Sequence, residues 1–266
     1  MGQAAKAILC IGGSDSSAGA GIQADVKTGA VFGVYVATAI TAVTAQNCSG
    51  VQVCAPLGAD LLRQQIESVL QGFAIGAVKL GLMATAELLQ EALEATDQLA
   101  RVRVLDPVLG ATAGGPLASR DLATALRDNL HRVALITPNL QEAAKLLDTD
   151  VARSFAEMRA QAYALQDLGA NAVLIKGGHL EGPDAADLLV ADAVEYPLSC
   201  ARIDSTHTHG GGCSFATAVT AGLAQGLALP AAAAAAKSFM RGAIAASPRL
   251  GLAEHNGPLH QFYEYW

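Results

Sequence analysis

The stretch AILCIGGSDSSAGAGIQADVKTGAVFGVYVATAITAV, residues 7–43, contains a complete strand–helix–strand unit. Residues 7–12 form a short apolar run that ends at two glycines, which is typical of a buried strand. Residues 21–33 have the apolar spacing of a helix, and Gly33 can end that helix. Residues 34–43 are apolar and β-branched, so they predict a second strand. Because a helix joins the two strands, the stretch predicts the first crossover of a parallel sheet.

The same alternation of strands and helices continues along the chain. Further strands are predicted at 74–81, 101–106, 132–137 and 172–178, with short strands joined by tight turns within 186–204. Helices are predicted at 59–73, 85–95, 118–130, 139–147, 154–169, 213–225 and 230–246. This order predicts an α/β fold with a mostly parallel central sheet and helices on both faces. Because no linker-like segment divides the chain, we expect a single domain over residues 1–266.

The composition excludes several classes of partner. A net charge of −7 argues against nucleic acid, which would need a basic face. Five cysteines are scattered without any Cys-x-x-Cys spacing, which favours a reducing cytoplasm over a disulfide framework. The first apolar run ends in Gly-Gly-Ser-Asp rather than at a cleavage site, so we interpret it as a strand and not as a signal peptide.

Two long stretches without charge, 28–59 and 214–236, require a test for membrane insertion. Glycine, proline and amide residues interrupt both stretches, and both are rich in Ala and Thr rather than in Leu and Ile. A spanning helix normally needs about 20 strongly apolar residues. We therefore expect no membrane partner and predict elements that are buried on both faces.

Glycines, small polar residues and carboxylates follow most of the predicted strands. Examples are GGSDSSAGAG after the first strand, DPVLG after the strand at 101–106, and STHTHGGGC after residue 204. In open α/β sheets, ligands bind outside the carboxyl ends of the strands. The sequence therefore predicts a ligand site along this edge of the sheet.

The segment HGGGC, residues 209–213, admits three interpretations. A glycine loop that leads into a helix can turn successive N–H groups toward an anion, and a helix N terminus should lower the pKa of the Cys213 thiol. His207, His209 and Cys213 could instead bind a metal, although their spacing is not that of a structural zinc site. The third interpretation is a cysteine hydrolase, which needs a base beside its nucleophile.

Other residues at this edge suit phosphate chemistry. Asp106 and Glu142 each lie just past a strand, where carboxylates can bind Mg²⁺, but they could equally be a helix cap and a solvated helix face. Lys176 could reach a phosphate or extend to the surface. Gln46 could bind an aminopyrimidine edge, and Asp25 is a carboxylate in an otherwise apolar helix. Together these features indicate phosphoryl transfer, which depends on positioning and charge neutralisation.

Nearly the whole chain resembles bacterial hydroxymethylpyrimidine/phosphomethylpyrimidine kinases. The shared motifs are GGSDSSAGAGIQADVKT, ITAVTAQN, VKLGLM, LDPVLGATAG, ITPNLQEA, VLIKGGH, RIDSTHTHGGGCS and GPLHQFYEYW. The resemblance implies a ribokinase-like three-layer fold. It also implies that MgATP phosphorylates the hydroxymethyl group of 4-amino-5-hydroxymethyl-2-methylpyrimidine, and then the monophosphate to the diphosphate, for the pyrimidine half of thiamine.

The resemblance also implies roles for individual residues. It places Asp25 and Gln46 at the pyrimidine edge, with Met83 and Val108 around the pyrimidine ring. Asp106 and Glu142 are the acidic residues beside Mg²⁺, and the contacts of ATP are Lys176, Thr208 and His209. The anion hole is formed by Gly210, Gly211 and Gly212, and Cys213 lies beside the substrate hydroxyl. Cys213 stands where related sugar kinases carry a catalytic aspartate, so it could act as a base.

Three departures from the family pattern are visible. Gly211 replaces the usual threonine, Ser16 and Ala18 replace the usual proline and glycine, and DPVL replaces DPVM. A pyridoxine or pyridoxal kinase on the same fold is the nearest alternative function. A cysteine-dependent hydrolase and a non-catalytic pyrimidine-binding protein are the others. We expect a homodimer, because related kinases often dimerise.

Overall fold

A single mixed sheet is the centre of the molecule. The computed structural model describes residues 5–110, 119 and 121–266. Within those residues nine strands pair in the order β3-β2-β1-β4-β5-β6-β7-β8-β9. The strands are β1 Ala7–Asp15, β2 Tyr35–Asn47, β3 Gly50–Pro56, β4 Ile75–Leu80, β5 Arg103–Leu105, β6 Leu135–Ile136, β7 Ala172–Ile175, β8 Asp184–Ala191 and β9 Val194–Ala201.

The six central strands, β2, β1, β4, β5, β6 and β7, are parallel to their neighbours, so the prediction of a mostly parallel sheet is confirmed. Antiparallel strands close both edges, where β3 pairs with β2 and the β8–β9 hairpin pairs with β7. The sequence analysis missed β3. It also predicted several short strands within 186–204, where the structure has one long hairpin.

Helices cover both faces of the sheet. They are α1 Gly21–Val31, α2 Ala59–Gly72, α3 Ala86–Ala95, α4 Leu122–Asp128, α5 Leu140–Leu147, α6 Phe155–Asp167, α7 Gly211–Ala224 and α8 Leu229–Ala246. Short 3-10 helices add Asp97–Val102, Leu130–Arg132 and Ser247–Leu250. The predicted helix at 118–130 begins in the structure at Leu122, and its residues 118 and 120 lie outside the described part of the chain.

Side chains along β1 point alternately into two separate hydrophobic cores. Leu9 and Ile11 join the core on the face that carries α2 to α6. Ile8 and Cys10 point to the opposite face, where α7 packs against the sheet. Successive strand residues point to opposite faces, so a strand covered on both sides must be apolar throughout. Burial on both faces therefore explains the unbroken apolar run at residues 7–12, from which a buried strand was predicted.

Small residues let α7 and α8 pack closely. A Cβ atom on Gly222 would lie 2.9 Å from the Cβ of Ala232, so the helix backbones meet where side chains are smallest. Ala232, Ala233 and Ala236 are fully buried in this contact, which explains the alanine run as a tightly packed helix. In the described part of the chain, no helix has both the length and the apolar character that a bilayer crossing demands.

The first uncharged stretch behaves differently from the prediction. Its strands β2 and β3 lie at one edge of the sheet, and many of their residues are exposed. Burial on both faces is therefore wrong for residues 28–59, although it is right for α7, in which ten of fourteen residues are buried. Threonine and alanine tolerate an exposed edge, so the absence of charge did not reveal which situation applies.

The turn of the β8–β9 hairpin offers a test of backbone strain. Asp192 and Ala193 are both exposed and have φ of 50° and 59°. A left-handed conformation costs a non-glycine residue about 1–2 kcal/mol, whereas glycine adopts it freely. Glycine also loses more conformational entropy on folding than alanine, and this loss offsets about 0.5–1 kcal/mol of the stabilisation gained by relieving the strain. We expect Ala193→Gly to raise the free energy of unfolding by about 0.5–1 kcal/mol in urea titrations.

Ala193→Val is the matched control for that substitution. A β-branched residue is strained at positive φ, so Ala193→Val should destabilise the protein. If both variants changed stability in the same direction, the left-handed turn would not be the cause.

Candidate active site

A large pocket opens at the carboxyl ends of the parallel strands. Its volume is about 600 Å³. One end is lined by the loop after β1, by Leu82 and by Gln46, and the other by the β9 end and α8. Between these ends lie Asp106, Glu142, Lys176 and the first turn of α7. The predicted site edge is therefore a real cavity.

The glycines before α7 allow an unusually close backbone approach. Gly210 has φ of 83°, and a Cβ atom there would lie 1.9 Å from the carbonyl oxygen of Gly19. A side chain is excluded at this position by both strain and space. The loop after β1 consequently packs directly on the start of α7.

The first turn of α7 presents unpaired donors to the pocket. Within the described residues, no protein acceptor pairs with the N–H groups of Gly210, Gly212 and Cys213. The Gly211 N–H donates to the Thr208 carbonyl at 3.0 Å, so this glycine is not an available donor. Converging N–H groups and the helix dipole attract an anion. The Gly211 departure therefore removes nothing from the cradle.

Asp106 and Lys176 form an ion pair beside this cradle. Lys176 Nζ lies 2.7 Å from Asp106 Oδ1, and the Thr137 hydroxyl donates to the same oxygen at 3.1 Å. A Cβ atom on Gly212 would lie 3.2 Å from both Lys176 Nζ and Asp106 Oδ2. Burial alone would lower the pKa of Lys176, but Asp106 and Glu142 raise it above its usual value. The ammonium therefore stays charged next to the helix N terminus.

Glu142 belongs to a capping box at the start of α5. Its Oε2 accepts the Asn139 N–H at 2.8 Å, and its own N–H donates to Asn139 Oδ1 at 2.8 Å. Burial is the main reason that its pKa rises to about 7, and Asp106 raises it further against Lys176. The expectation that Glu142 is either solvated or a metal ligand is thus too simple, because the residue is buried and also caps a helix.

The carboxylates were also tested as a metal site. Searched over the described residues, the structure contains no group of three or more His, Cys, Asp or Glu side chains that could hold an ion. Asp106 Oδ2 and Glu142 Oε1 nevertheless accept no hydrogen bond from the described residues. Two open carboxylate oxygens suit Mg²⁺, which keeps several waters and takes further oxygens from phosphate.

The histidine–cysteine metal interpretation is wrong. His207 Nδ1 accepts the Gly257 N–H at 3.0 Å, whereas His209 Nε2 pairs with Asp15 at 2.9 Å. The Cys213 thiol instead faces the backbone of Gly21 at the start of α1. The three side chains are each held by a different partner and do not converge.

The expected thiolate at Cys213 is also a correction. Burial raises the pKa of this thiol to about 11, and the negative charges of Asp25 and Asp106 add to the rise. Lys79 and the Gly21 N–H act in the opposite direction but do not compensate. The sequence revealed the helix N terminus but not the burial, so it predicted the wrong sign.

Asp15 organises the loop after β1. It accepts hydrogen bonds from the Ala20 N–H at 2.7 Å and the Ser17 N–H at 2.8 Å. Burial would raise its pKa, but bonds from His209, Ala20 and Ser17 lower it to about 2. The loop needs Ala18 at φ 59°, a conformation that glycine adopts without strain. Glycine, which is usual at this position in the family, would therefore fit better than alanine.

His209 lies at the end of the pocket opposite to the expected one. Its Nε2 pairs with Asp15 and is 3.4 Å from Gln46 Nε2, the predicted pyrimidine contact. The ATP assignment of His209 stays a prediction, since the ring lies near Gln46 rather than beside Lys176. The ring is also engaged away from Cys213, as a cysteine hydrolase would not allow. Thr208 lines the pocket as expected, and Val108 does so near Gln46 and Leu82.

Two predicted substrate contacts lie behind the pocket wall. Asp25 is fully buried, and both of its oxygens accept hydrogen bonds from Lys79, at 3.1 and 2.9 Å. Met83 is 1% exposed and packs in the core, while its neighbour Leu82 lines the pocket. These assignments are wrong because neighbouring side chains point in different directions, which motif position alone does not reveal.

Two lysines of the pocket were missed. Lys79 lies inside the apolar strand AIGAVKLG, and Lys237 interrupts the alanine run of α8. Lys237 Nζ pairs with Asp187 Oδ2 at 2.7 Å. A lone charge inside an apolar element was the available signal, because buried charges are rare unless they are paired.

Fold and site together define a kinase of the ribokinase-like class, in which a glycine-led helix N terminus faces a lysine and carboxylates across one cleft. The family described as Phosphomethylpyrimidine kinase matches residues 15–260, and the chain belongs to this family. A relative from Rhizobium meliloti, hydroxymethylpyrimidine/phosphomethylpyrimidine kinase, is 41% identical over 97% of both chains.

Solved structures show the same architecture. The ADP complex of Bacillus subtilis pyridoxal kinase superimposes with a TM-score of 0.88 at 34% identity, over 98% of this chain and 99% of the other. Pyridoxal kinase from Staphylococcus aureus in complex with ADP gives 0.90 at 31% identity, over 99% of this chain and 96% of the other. The expected α/β fold is confirmed.

The Asp15 contacts predict a stability change that depends on pH. Because the folded-state pKa of Asp15 lies near 2, below the ordinary aspartate value of 3.8, the stabilisation from its contacts is present above pH 4 and is lost as pH falls toward 2. We expect Asp15→Asn to cost about 1–2 kcal/mol at pH 7 and about half of that at pH 3. Urea unfolding of both proteins at the two pH values measures the difference. A cost that did not change with pH would contradict the ionised contacts.

Proposed function

We propose that this protein is an ATP-dependent kinase that phosphorylates 4-amino-5-hydroxymethyl-2-methylpyrimidine and then its monophosphate, in thiamine biosynthesis. The observation that carries the proposal is the first turn of α7, whose open N–H groups lie beside the Lys176–Asp106 pair. A transferring phosphoryl group needs such charge compensation on its oxygens. The family membership supports the same activity.

The two ends of the pocket suit the two substrates. Gln46, Leu82 and Val108 form an amide and two apolar surfaces of the size of a small ring. Ile203, Met240 and Ile244 line the other end, beside Lys237, and suit a purine with its phosphates. The reacting groups would then meet at Gly212 and Cys213, between the two ends.

The chain's own groups act on the reaction in a definite order. Lys176 and the α7 N–H groups hold the γ-phosphoryl oxygens. Cys213, as thiolate, accepts the proton of the substrate hydroxyl while that oxygen bonds to phosphorus. The bond to the β-phosphate oxygen breaks, and ADP leaves with the electron pair. Because the pKa of Cys213 is about 11, only a small fraction of thiolate is present at neutral pH, so turnover should rise with pH.

Asp106 and Glu142 are the residues that would hold Mg²⁺. Their open oxygens lie on the pocket side of the Lys176 pair. Bound there, the ion supplies charge neutralisation for the phosphate oxygens.

A homodimer and a cytoplasmic location belong to the same proposal. The exposed stacked rings of Tyr35 and Phe73, whose centroids are 5.4 Å apart, offer apolar surface for a dimer.

A pyridoxal kinase is the alternative that a specific observation favours, because the two superimposed structures are named as pyridoxal kinases. The Gln46 amide favours the pyrimidine, since one acceptor and one donor match a ring nitrogen and its neighbouring amino group. The 41% identity to a hydroxymethylpyrimidine/phosphomethylpyrimidine kinase points the same way.

Product analysis tests the choice directly. The protein is incubated with MgATP and equimolar hydroxymethylpyrimidine and pyridoxal, and products are followed by mass spectrometry. We expect the pyrimidine monophosphate first and its diphosphate next. Pyridoxal phosphate alone would retain the kinase but overturn the substrate. If neither compound were phosphorylated, the proposed function would fail.

Two alanine substitutions in the same turn separate the cradle from helix stability. A Cβ atom on Gly212 would crowd Asp106 and Lys176 at 3.2 Å, whereas one on Gly211 meets only Met240 Cε at 3.7 Å. We expect Gly212→Ala to lower kcat on the order of 10²-fold, because the added methyl group displaces Lys176 and Asp106 from the cradle while the backbone N–H is kept, and Gly211→Ala to keep kcat within about 3-fold. Steady-state rates with thermal melts measure both. Equal effects of the two substitutions would contradict the cradle.

A further inference from the structure

Beneath Cys213 lies a buried ion pair that the mechanism above does not use. Asp25 and Lys79 have side chains that are 0% and 1% exposed. Lys79 Nζ donates to both carboxylate oxygens, at 3.1 and 2.9 Å. A buried ion pair is weak evidence for stability, since apolar residues of similar volume often serve as well. Stability alone therefore does not explain why the ion pair lies beside the reacting centre.

Two helices hold Cys213 in register with this pair. The backbone of Gly21, at the start of α1, lies beside the Cys213 thiol and lowers its pKa slightly against burial. Asp25 lies one turn further along α1, and Thr217 one turn further along α7. The Thr217 hydroxyl donates to Asp25 Oδ1 at 2.7 Å. Because residues four apart share a helix face, Cys213 lies on the side of α7 that meets Asp25 through Thr217.

Lys79 reaches the pocket from β4, next to Cys10 of β1 in the sheet register. A Cβ atom on Gly81 would lie 2.6 Å from Lys79 Nζ, so the glycine leaves room for the ammonium. An ammonium has three donors, and the contacts with Asp25 use two of them. Within the described residues the third has no acceptor, and it is available on the pocket side.

The charges around Cys213 come from several elements. Lys79 on β4 and Lys176 after β7 are positive, whereas Asp25 on α1 and Asp106 after β5 are negative. The thiol of Cys10 on β1 is the remaining titratable neighbour. Lys79 is the leading charge that favours the thiolate. Burial would lower the pKa of Lys79 itself, but Asp25 and then Cys213 raise it, so Lys79 keeps its proton.

We propose that Lys79 is a positioning residue that stabilises the Cys213 thiolate, and that Asp25 keeps Lys79 charged and in place. This proposal rests on the proposed function, in which Cys213 accepts the substrate proton. The thiolate takes that proton to become a thiol, Lys79 keeps its own proton throughout, and the thiol later releases its proton to solvent. Lys79 therefore transfers nothing and acts through its charge.

The test measures Cys213 reactivity without any substrate. Iodoacetamide alkylation rates are followed from pH 7 to 11 by mass spectrometry of the Cys213 peptide. The key variant is Lys79→Met, which removes the charge that favours the thiolate and leaves Asp25, which disfavours it. Asp25→Asn with Lys79→Met is measured beside it as a variant without an unpaired buried ion. We expect the Cys213 profile of Lys79→Met to move at least one pH unit upward, with a rate at pH 8 lower by about tenfold or more. The double variant should show a smaller upward shift, because the two removed charges act on Cys213 in opposite directions.

A second lysine–aspartate pair of the same pocket provides the matched control. Lys237 and Asp187 pair at 2.7 Å, and neither is among the leading influences on the pKa of Cys213. Asp187→Asn with Lys237→Met should leave the Cys213 profile unchanged. Cys48, in the turn after β2, is the internal reactivity standard. Circular dichroism and thermal melts verify that each variant is folded.

The outcomes separate this inference from the proposed function. A Cys213 profile identical to wild type in folded Lys79→Met, or a downward shift in the double variant, would overturn the role of Lys79, whatever the kinase assay shows. A shifted profile in a protein that phosphorylates neither substrate would support Lys79 while the kinase proposal fails. With both intact, the rising limb of kcat against pH should move upward with the alkylation profile while KM for ATP stays constant.

Discussion

The close approach of the α7 N terminus to the carboxyl ends of β5 and β7 is the constraint on which the site depends. It requires Gly210 in a left-handed conformation against Gly19, and no side chain on Gly212 beside Asp106 and Lys176. Larger residues would push the helix away from the sheet and disperse its N–H groups. The glycines thus allow the close approach of α7 to the sheet, and this approach gathers the N–H groups that form the anion cradle.

Burial decides how the charged groups of the site behave. Cys213, Glu142 and Lys79 all lie where water is scarce, and burial is the leading influence on the pKa of each. The carboxyl and the thiol respond with raised pKa values. The lysine keeps its charge because Asp25 faces it directly. The pocket therefore keeps its lysines charged, each paired with an aspartate, beside the open N–H groups of α7.

The sequence predicted the parallel sheet because crossover helices, buried strands and turn glycines each carry a local signal. It missed β3, since an exposed edge strand has no apolar run, and it split the β8–β9 hairpin. Asp25 and Met83 were expected to line the pocket but lie behind its wall. A motif fixes where a residue lies along the chain, but the direction of its side chain depends on packing between α1, α7 and the sheet. The same limit explains the wrong sign for Cys213.

The central claim is that the first turn of α7 receives the transferred phosphoryl group, and a crystal structure with MgADP, aluminium fluoride and hydroxymethylpyrimidine tests it most directly. The account predicts the fluoride complex within hydrogen-bond distance of the Gly212 and Cys213 N–H groups, with Lys176 on its other side and Cys213 Sγ near the pyrimidine hydroxyl. A complex bound away from α7, with the glycine N–H groups facing only water, would contradict it.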